Sequence, residues 1–164
     1  MTVLRPLAAL FSLGLLQIFL PRVWSGFGSI DWLLIYVVLQ SLRGTFQRSV
    51  LLGAGAGLIQ DGLSGGIIGL HAFAKTSVTA LIASFGGLLV VRGPLPEAMV
   101  VGGASMLEGL IVVAWQAMLG RPVSLGLLDV VWRGVITAIA AFAILSTARW
   151  WSQRSLRRGR RYSR

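Results

Sequence analysis

Cysteine is absent from the 164 residues. Its absence excludes disulfides, a thiolate nucleophile and any metal held by cysteine. Acid is scarce as well, with five Asp and Glu against fifteen Lys and Arg. The lone histidine, His71, leaves no imidazole set for a metal or a cofactor. Charged residues make up 12% of the chain, about half of the roughly 25% of a soluble domain. What is present is apolar sequence, with a mean hydropathy of +0.81. About six crossings of roughly 20 residues each would consume most of this length. The composition predicts an all-α polytopic membrane protein with no sizeable soluble domain.

The basic residues cluster at Arg5, at Arg43 and Arg48, at Arg92, and from Arg149 to Arg164. Cytoplasmic loops of membrane proteins hold an excess of Lys and Arg. Clusters separated by an even number of crossings therefore share the inner side. Eleven of the fifteen basics fall there, with Arg22 and Arg121 outside and Lys75 and Arg133 within the spans. Both termini are expected on the cytoplasmic side of the membrane. A net charge of +10 raises the question of nucleic acid. About half of the basic charge lies in the last sixteen residues, where Arg154, Arg157, Arg158, Arg160 and Arg161 read first as ligands for anionic lipid. Residues 1–149 are read as one helical membrane domain and 150–164 as a basic cytoplasmic tail.

The first apolar run, Pro6 to Leu20, resembles a signal peptide but lacks a small-x-small cleavage site after it, so it reads as a retained span. The second, about Asp31 to Leu42, and the third, about Ser49 to Leu63, are short for a core of about 30 Å. A re-entrant element here would put the basic tail outside, against the charge rule. The fourth span is expected over Ile67 to Val91. Arg92-Gly93-Pro94-Leu95-Pro96 reads as a breaker. The fifth and sixth are expected over Ala98 to Leu119 and Leu125 to Ala148. Trp150 and Trp151 fall at the inner interface, and Trp24, Trp32 and Trp115 near the outer one.

Small residues form a second pattern. Gly53 and Gly57 lie one helical turn apart in the third span, and Gly62 with Gly66 and Gly65 with Gly69 repeat that spacing. Such glycines let helix backbones approach closely. They serve either packing of the third span on the fourth or contact with another protein. Gly53-x-Gly55 is no dinucleotide fingerprint, because no strand precedes it.

Ionisable residues inside a membrane are functional candidates. At about 1.5 Å per residue, Lys75, Glu108 and Arg133 all come to about the depth of the bilayer centre. Glu108 is the available counter-ion for Lys75, Arg133 or both. Asp129 and Arg133 are four residues apart, on one helix face. Asp61 falls near the outer end of the third span, within reach of periplasmic or membrane-embedded partners. These charges can pair to fix helix packing, line a cavity for a partner or ligand, or carry ions; carboxylates at relay spacing are missing. Enzyme readings fail on distance. Gly62-Leu63-Ser64-Gly65 has the Gly-x-Ser-Gly form of rhomboid-type proteases, but His71 is about 10 Å along a helix from Ser64 and Lys75 about 16 Å. Asp61-Gly62 opens like the lipid-head-group phosphotransferases, without the further aspartates they need.

One stretch is more specific. Asp31-Trp32-Leu33-Leu34-Ile35 is followed by Gly57-Leu58-Ile59-Gln60-Asp61-Gly62-Leu63, Ser64-Gly65-Gly66 and Ile68-Gly69-Leu70-His71. This arrangement resembles the rod shape-determining MreD family of small bacterial inner-membrane proteins. Asp31, Gly57, Asp61, Gly62, Gly65, Gly69 and Leu70 match its pattern, while Ile30 stands where a proline is expected. The resemblance implies a non-catalytic scaffold that binds MreC. It would act in the elongation complex with MreB, RodA and a class B penicillin-binding protein. The other reading is a substrate-binding subunit of an energy-coupling-factor-type vitamin transporter, whose fold is similar. Its outer face should carry a polar, aromatic-lined pocket, and the outer turns here are short.

Overall fold

A computed structural model describes residues 4–23, 28–64, 67–86, 93–122 and 126–159. They form six helices: α1 Leu4–Val23, α2 Trp32–Ser41, α3 Phe46–Ser64, α4 Leu70–Phe85, α5 Pro94–Met118 and α6 Leu127–Gly159. Two stretches, Pro94–Met118 and Leu127–Trp151, are long and apolar enough to cross a membrane. The prolines expected to break the chain instead lie in the first turn of α5, with Pro94 at its start. There a missing N–H has no intrahelical partner to lose. No helix break marks position 150: α6 runs on to Gly159. Trp24, Gly65, Gly66, Arg92, Arg160, Arg161 and Arg164 lie outside the described residues.

Contacts between helices set their directions. Leu10 lies beside Gly55 and Ile59 beside Gly14, so α1 and α3 run the same way. Gly53 faces Thr76 and Gly57 faces Ala72, so α4 runs back along α3. Asp31 and Glu108 meet through Lys75, while Arg43 meets Glu97, so α5 opposes α2. Gly109 against Val130 and Glu97 against Arg149 make α6 antiparallel to α5. The six helices alternate in direction, and α1 begins at the same end of the bundle where α6 finishes.

The shortest helix is at the centre. Ten residues of α2 rise about 15 Å, half of a typical hydrocarbon core. Its sequence, Trp-Leu-Leu-Ile-Tyr-Val-Val-Leu-Gln-Ser, is apolar around most of its circumference, as expected of an enclosed helix. It touches each of the other five. Leu33 and Val37 pack with Leu10, Leu52 and Ala56 of α1 and α3. Leu34, Ile35 and Val38 pack with Val78, Val101 and Ala141 of α4, α5 and α6.

Outside, the usual arrangement is inverted. Phe11, Phe73, Leu81, Leu110, Trp132, Ile139 and Phe142 are exposed, whereas Lys75, Asp61, Glu97 and Glu108 are buried. Apolar surface this extensive marks contact with lipid or protein rather than water.

Candidate functional site

The buried charges meet where α2 begins. Asp31 caps α2, its Oδ1 accepting the Leu34 N–H at 2.8 Å. Its other oxygen, Oδ2, takes Lys75 Nζ at 2.5 Å. Lys75 is 0% exposed and also reaches Glu108 Oε1 at 2.8 Å, so the expected Glu108–Lys75 pair is present. His71 Nδ1 lies 3.3 Å from the same Glu108 oxygen. One ammonium thus joins α2, α4 and α5. His71 and Lys75 are four residues apart on α4 and present one face to Glu108.

Beside this cluster is a cavity of about 30 Å³ lined by Gln60, His71, Ser105, Glu108 and Arg133, among others. That is room for about two waters. Gln60 Oε1 is buried without a hydrogen-bond partner among the described residues. Arg133 faces the cavity, but among the described residues no carboxylate lies within ion-pair distance of it. The expected Asp129–Arg133 pair is not formed. Asp129 is in the first turn of α6, and its Oδ2 accepts the Gly126 N–H at 3.0 Å. A first-turn carboxylate reaching back to an unpaired N–H is half of a capping box, and that contact competes with Arg133.

Asp61 is 1% exposed, enclosed rather than open to a partner. Its carboxylate accepts three backbone N–H groups at the start of α4: Gly69 at 2.8 Å, His71 at 2.9 Å and Ala72 at 3.1 Å. A helix leaves its first N–H groups unpaired, and here a carboxylate from the preceding helix satisfies them. Gly69 allows the geometry, with a φ of 99° that disfavours any side chain. Ser64 donates its hydroxyl to the Asp61 carbonyl at 3.2 Å, turned along its own helix end.

The glycines divide. A Cβ on Gly53 or Gly57 would come within 3.0 Å of α4, and at Gly57 the obstructing atoms are backbone of His71 and Ala72. These two residues therefore serve the α3–α4 contact. Gly62 does not share that role, since a Cβ there meets nothing within 4 Å among the described residues. A second seam was not anticipated: Gly102, Gly109 and Gly134 set α5 close against α6. Its signal was available in Gly102-Gly103 and in Gly109, seven residues after Gly102.

A further cluster lies at the opposite end of α2. Glu97 is 3% exposed and accepts Arg43 Nη2 at 3.2 Å and Arg149 Nη2 at 2.8 Å. Sequence reasoning read both arginines as topology signals and passed over Glu97, which sits between two prolines and the fifth apolar run. Of the aromatic anchors, Trp150 and Trp151 are exposed and Arg154 stacks 3.6 Å over the Trp150 ring. Trp32 instead packs against the core, and Trp115 meets Phe73 edge-on at 5.5 Å.

Among the described residues no group of three or more His, Asp or Glu is placed to hold a metal. Searches among curated proteins and among solved structures find no match. A family model, by contrast, covers most of the chain. That model, for the rod shape-determining protein MreD, matches residues 2–144, and the chain belongs to this family.

Proposed function

We propose that this chain is a non-catalytic membrane scaffold of the cell-elongation machinery. In this reading it binds MreC and takes part, with MreB, RodA and a class B penicillin-binding protein, in regulating peptidoglycan synthesis. Its family is a shape-determining one, which gives it a role in rod shape. The observation that carries the reading is the use made of the buried acids. Asp31 ties α2 to α4, Asp61 ties α3 to α4, and Glu108 ties α4 to α5. Glu97 ties α5 to α6 and to the end of α2. All four hold helices in place, which is what a partner-presenting framework requires. Family membership does not favour the vitamin-transporter reading.

We also place all six helices in the inner membrane with both termini cytoplasmic. The alternation of helix direction and the basic residues gathered at one end support this. The chain has no cysteine, so single-cysteine labelling is clean. In intact cells an impermeant reagent should label Arg121→Cys and spare Arg164→Cys; labelling of the latter would overturn the placement.

The test of the scaffold is MreC co-purification measured alongside membrane abundance. Wild type should retain MreC. Gly57→Leu should lose abundance and MreC together, because it separates α3 from α4. Gly62 meets none of the other described helices, so Gly62→Leu should keep abundance and weaken MreC retention if a partner helix packs there. Failure of abundant wild-type protein to retain MreC would remove the proposed partner.

A further inference from the structure

The Glu97 cluster has the makings of a second site. Two guanidiniums, supplied by the end of α2 and by α6, converge on one sunken carboxylate oxygen. Glu97 neutralises one of the two charges, which leaves the group at +1. Each guanidinium carries five N–H donors, and Glu97 engages only Nη2 of Arg43 and Nη2 of Arg149. Their side chains stay 67% and 43% exposed, so donors remain on the open side. The carboxylate fixes where they point.

The level in the membrane is also informative. From Leu127 to Arg149 the helix rises about 33 Å, close to one hydrocarbon thickness. Arg149 therefore comes level with the headgroups when α6 starts at the opposite interface. Exposed Trp150 and Trp151 follow at once, where indoles favour the interface. Arg48 and Arg154 are exposed at this same end, and Glu97 is the acid found there among the described residues.

We infer that Arg43 and Arg149 form a binding site for the phosphate of an anionic phospholipid of the inner leaflet, flanked by Trp150 and Arg154. Paired guanidiniums match phosphate oxygens in geometry as well as charge. A zwitterionic headgroup presents the same phosphate but brings a cation toward the arginines, which disfavours it. The site is distinct from the scaffold contact with MreC, and either can fail without the other.

Native mass spectrometry of the detergent-solubilised full chain, equilibrated with equimolar phosphatidylglycerol and phosphatidylcholine, tests this. Wild type should hold the anionic lipid with at least about fivefold preference, because the paired guanidiniums make charge-assisted contacts with its phosphate. The variant Arg43→Gln/Glu97→Gln/Arg149→Gln removes the cluster without leaving an unpaired buried charge, and should bring the ratio near one. The tail variant Arg157→Gln/Arg158→Gln/Arg160→Gln/Arg161→Gln should keep the preference within about twofold. Selectivity that follows the tail variant, or that survives the cluster variant, overturns the site. Equal binding of both lipids by wild type also overturns it and leaves the arginines to an acidic protein partner. Displacement of the lipid by millimolar inorganic phosphate would reassign the site to a soluble anion. A circular dichroism spectrum for each variant keeps misfolding from passing as lost selectivity.

Discussion

At one end of α2 a lysine is sunk between two carboxylates; at the other, a carboxylate is sunk between two arginines. The difference lies in who can reach water. Lys75 is enclosed, and its partners Asp31 and Glu108 are only 16% and 7% exposed. Arg43 and Arg149 are long, half-exposed side chains that can turn outward if Glu97 is lost. The first cluster fixes three helices by an obligatory charge balance. The second fastens three chain segments by contacts that solvent can replace.

The comparison predicts an ordered set of losses, readable as thermal shifts in tryptophan emission of the detergent-solubilised protein. Lys75→Met should be the most damaging, by about 3–5 kcal/mol, because it strands two buried carboxylates. Adding Asp31→Asn and Glu108→Gln to it should recover most of that loss. A triple variant no better than Lys75→Met alone would show that packing, not charge balance, holds the site.

Asp61→Ala comes next, at about 2–3 kcal/mol, since three N–H groups lose their acceptor in a buried place. It also tests whether the start of α4 must be held for His71 to meet Glu108. Glu97→Gln should lose about 1 kcal/mol, because both arginines regain water. A loss equal to that of Lys75→Met would erase the distinction between the clusters. Arg43→Gln should be the mildest, below about 1 kcal/mol, as an exposed arm of a pair that Arg149 still serves.

Much of this was legible in the chain. Long apolar runs marked α5 and α6, and depth from the turns brought Glu108 to Lys75. Glycine spacing marked the α3–α4 contact at Gly53 and Gly57. Asp31 is a buried polar candidate in the sequence, but its pairing with Lys75 is hidden there, because it reads as the outer end of a crossing. The helix it starts is too short to cross alone, so its cap sits at the level of Lys75. Asp61 stands out in the sequence as a partner contact, but its role as a cap is hidden, because capping of α4 by a residue of α3 depends on a turn whose shape no periodicity encodes. Glu97 was hidden by its prolines, which announce a loop in sequence and a first helical turn in space. The Asp129–Arg133 spacing was correct for a helix face, yet the N–H of Gly126 was the nearer partner.

The enclosure of α2 has a mechanical corollary. A helix in contact with lipid must match the local bilayer thickness by tilting, or the bilayer must deform around it. A helix enclosed mainly by protein is largely free of that demand, and the polar groups at its ends, Asp31 and Arg43, can sit at the level their partners set. Matching then falls to the outer helices, above all α5 and α6, whose apolar stretches are each 25 residues long. A thinner or thicker bilayer acts first on the tilt of that outer pair. Glu108 and Glu97, both on α5, face opposite ends of α2 through Lys75 and Arg43, so the level of the short helix is set by α5 and not by its own length.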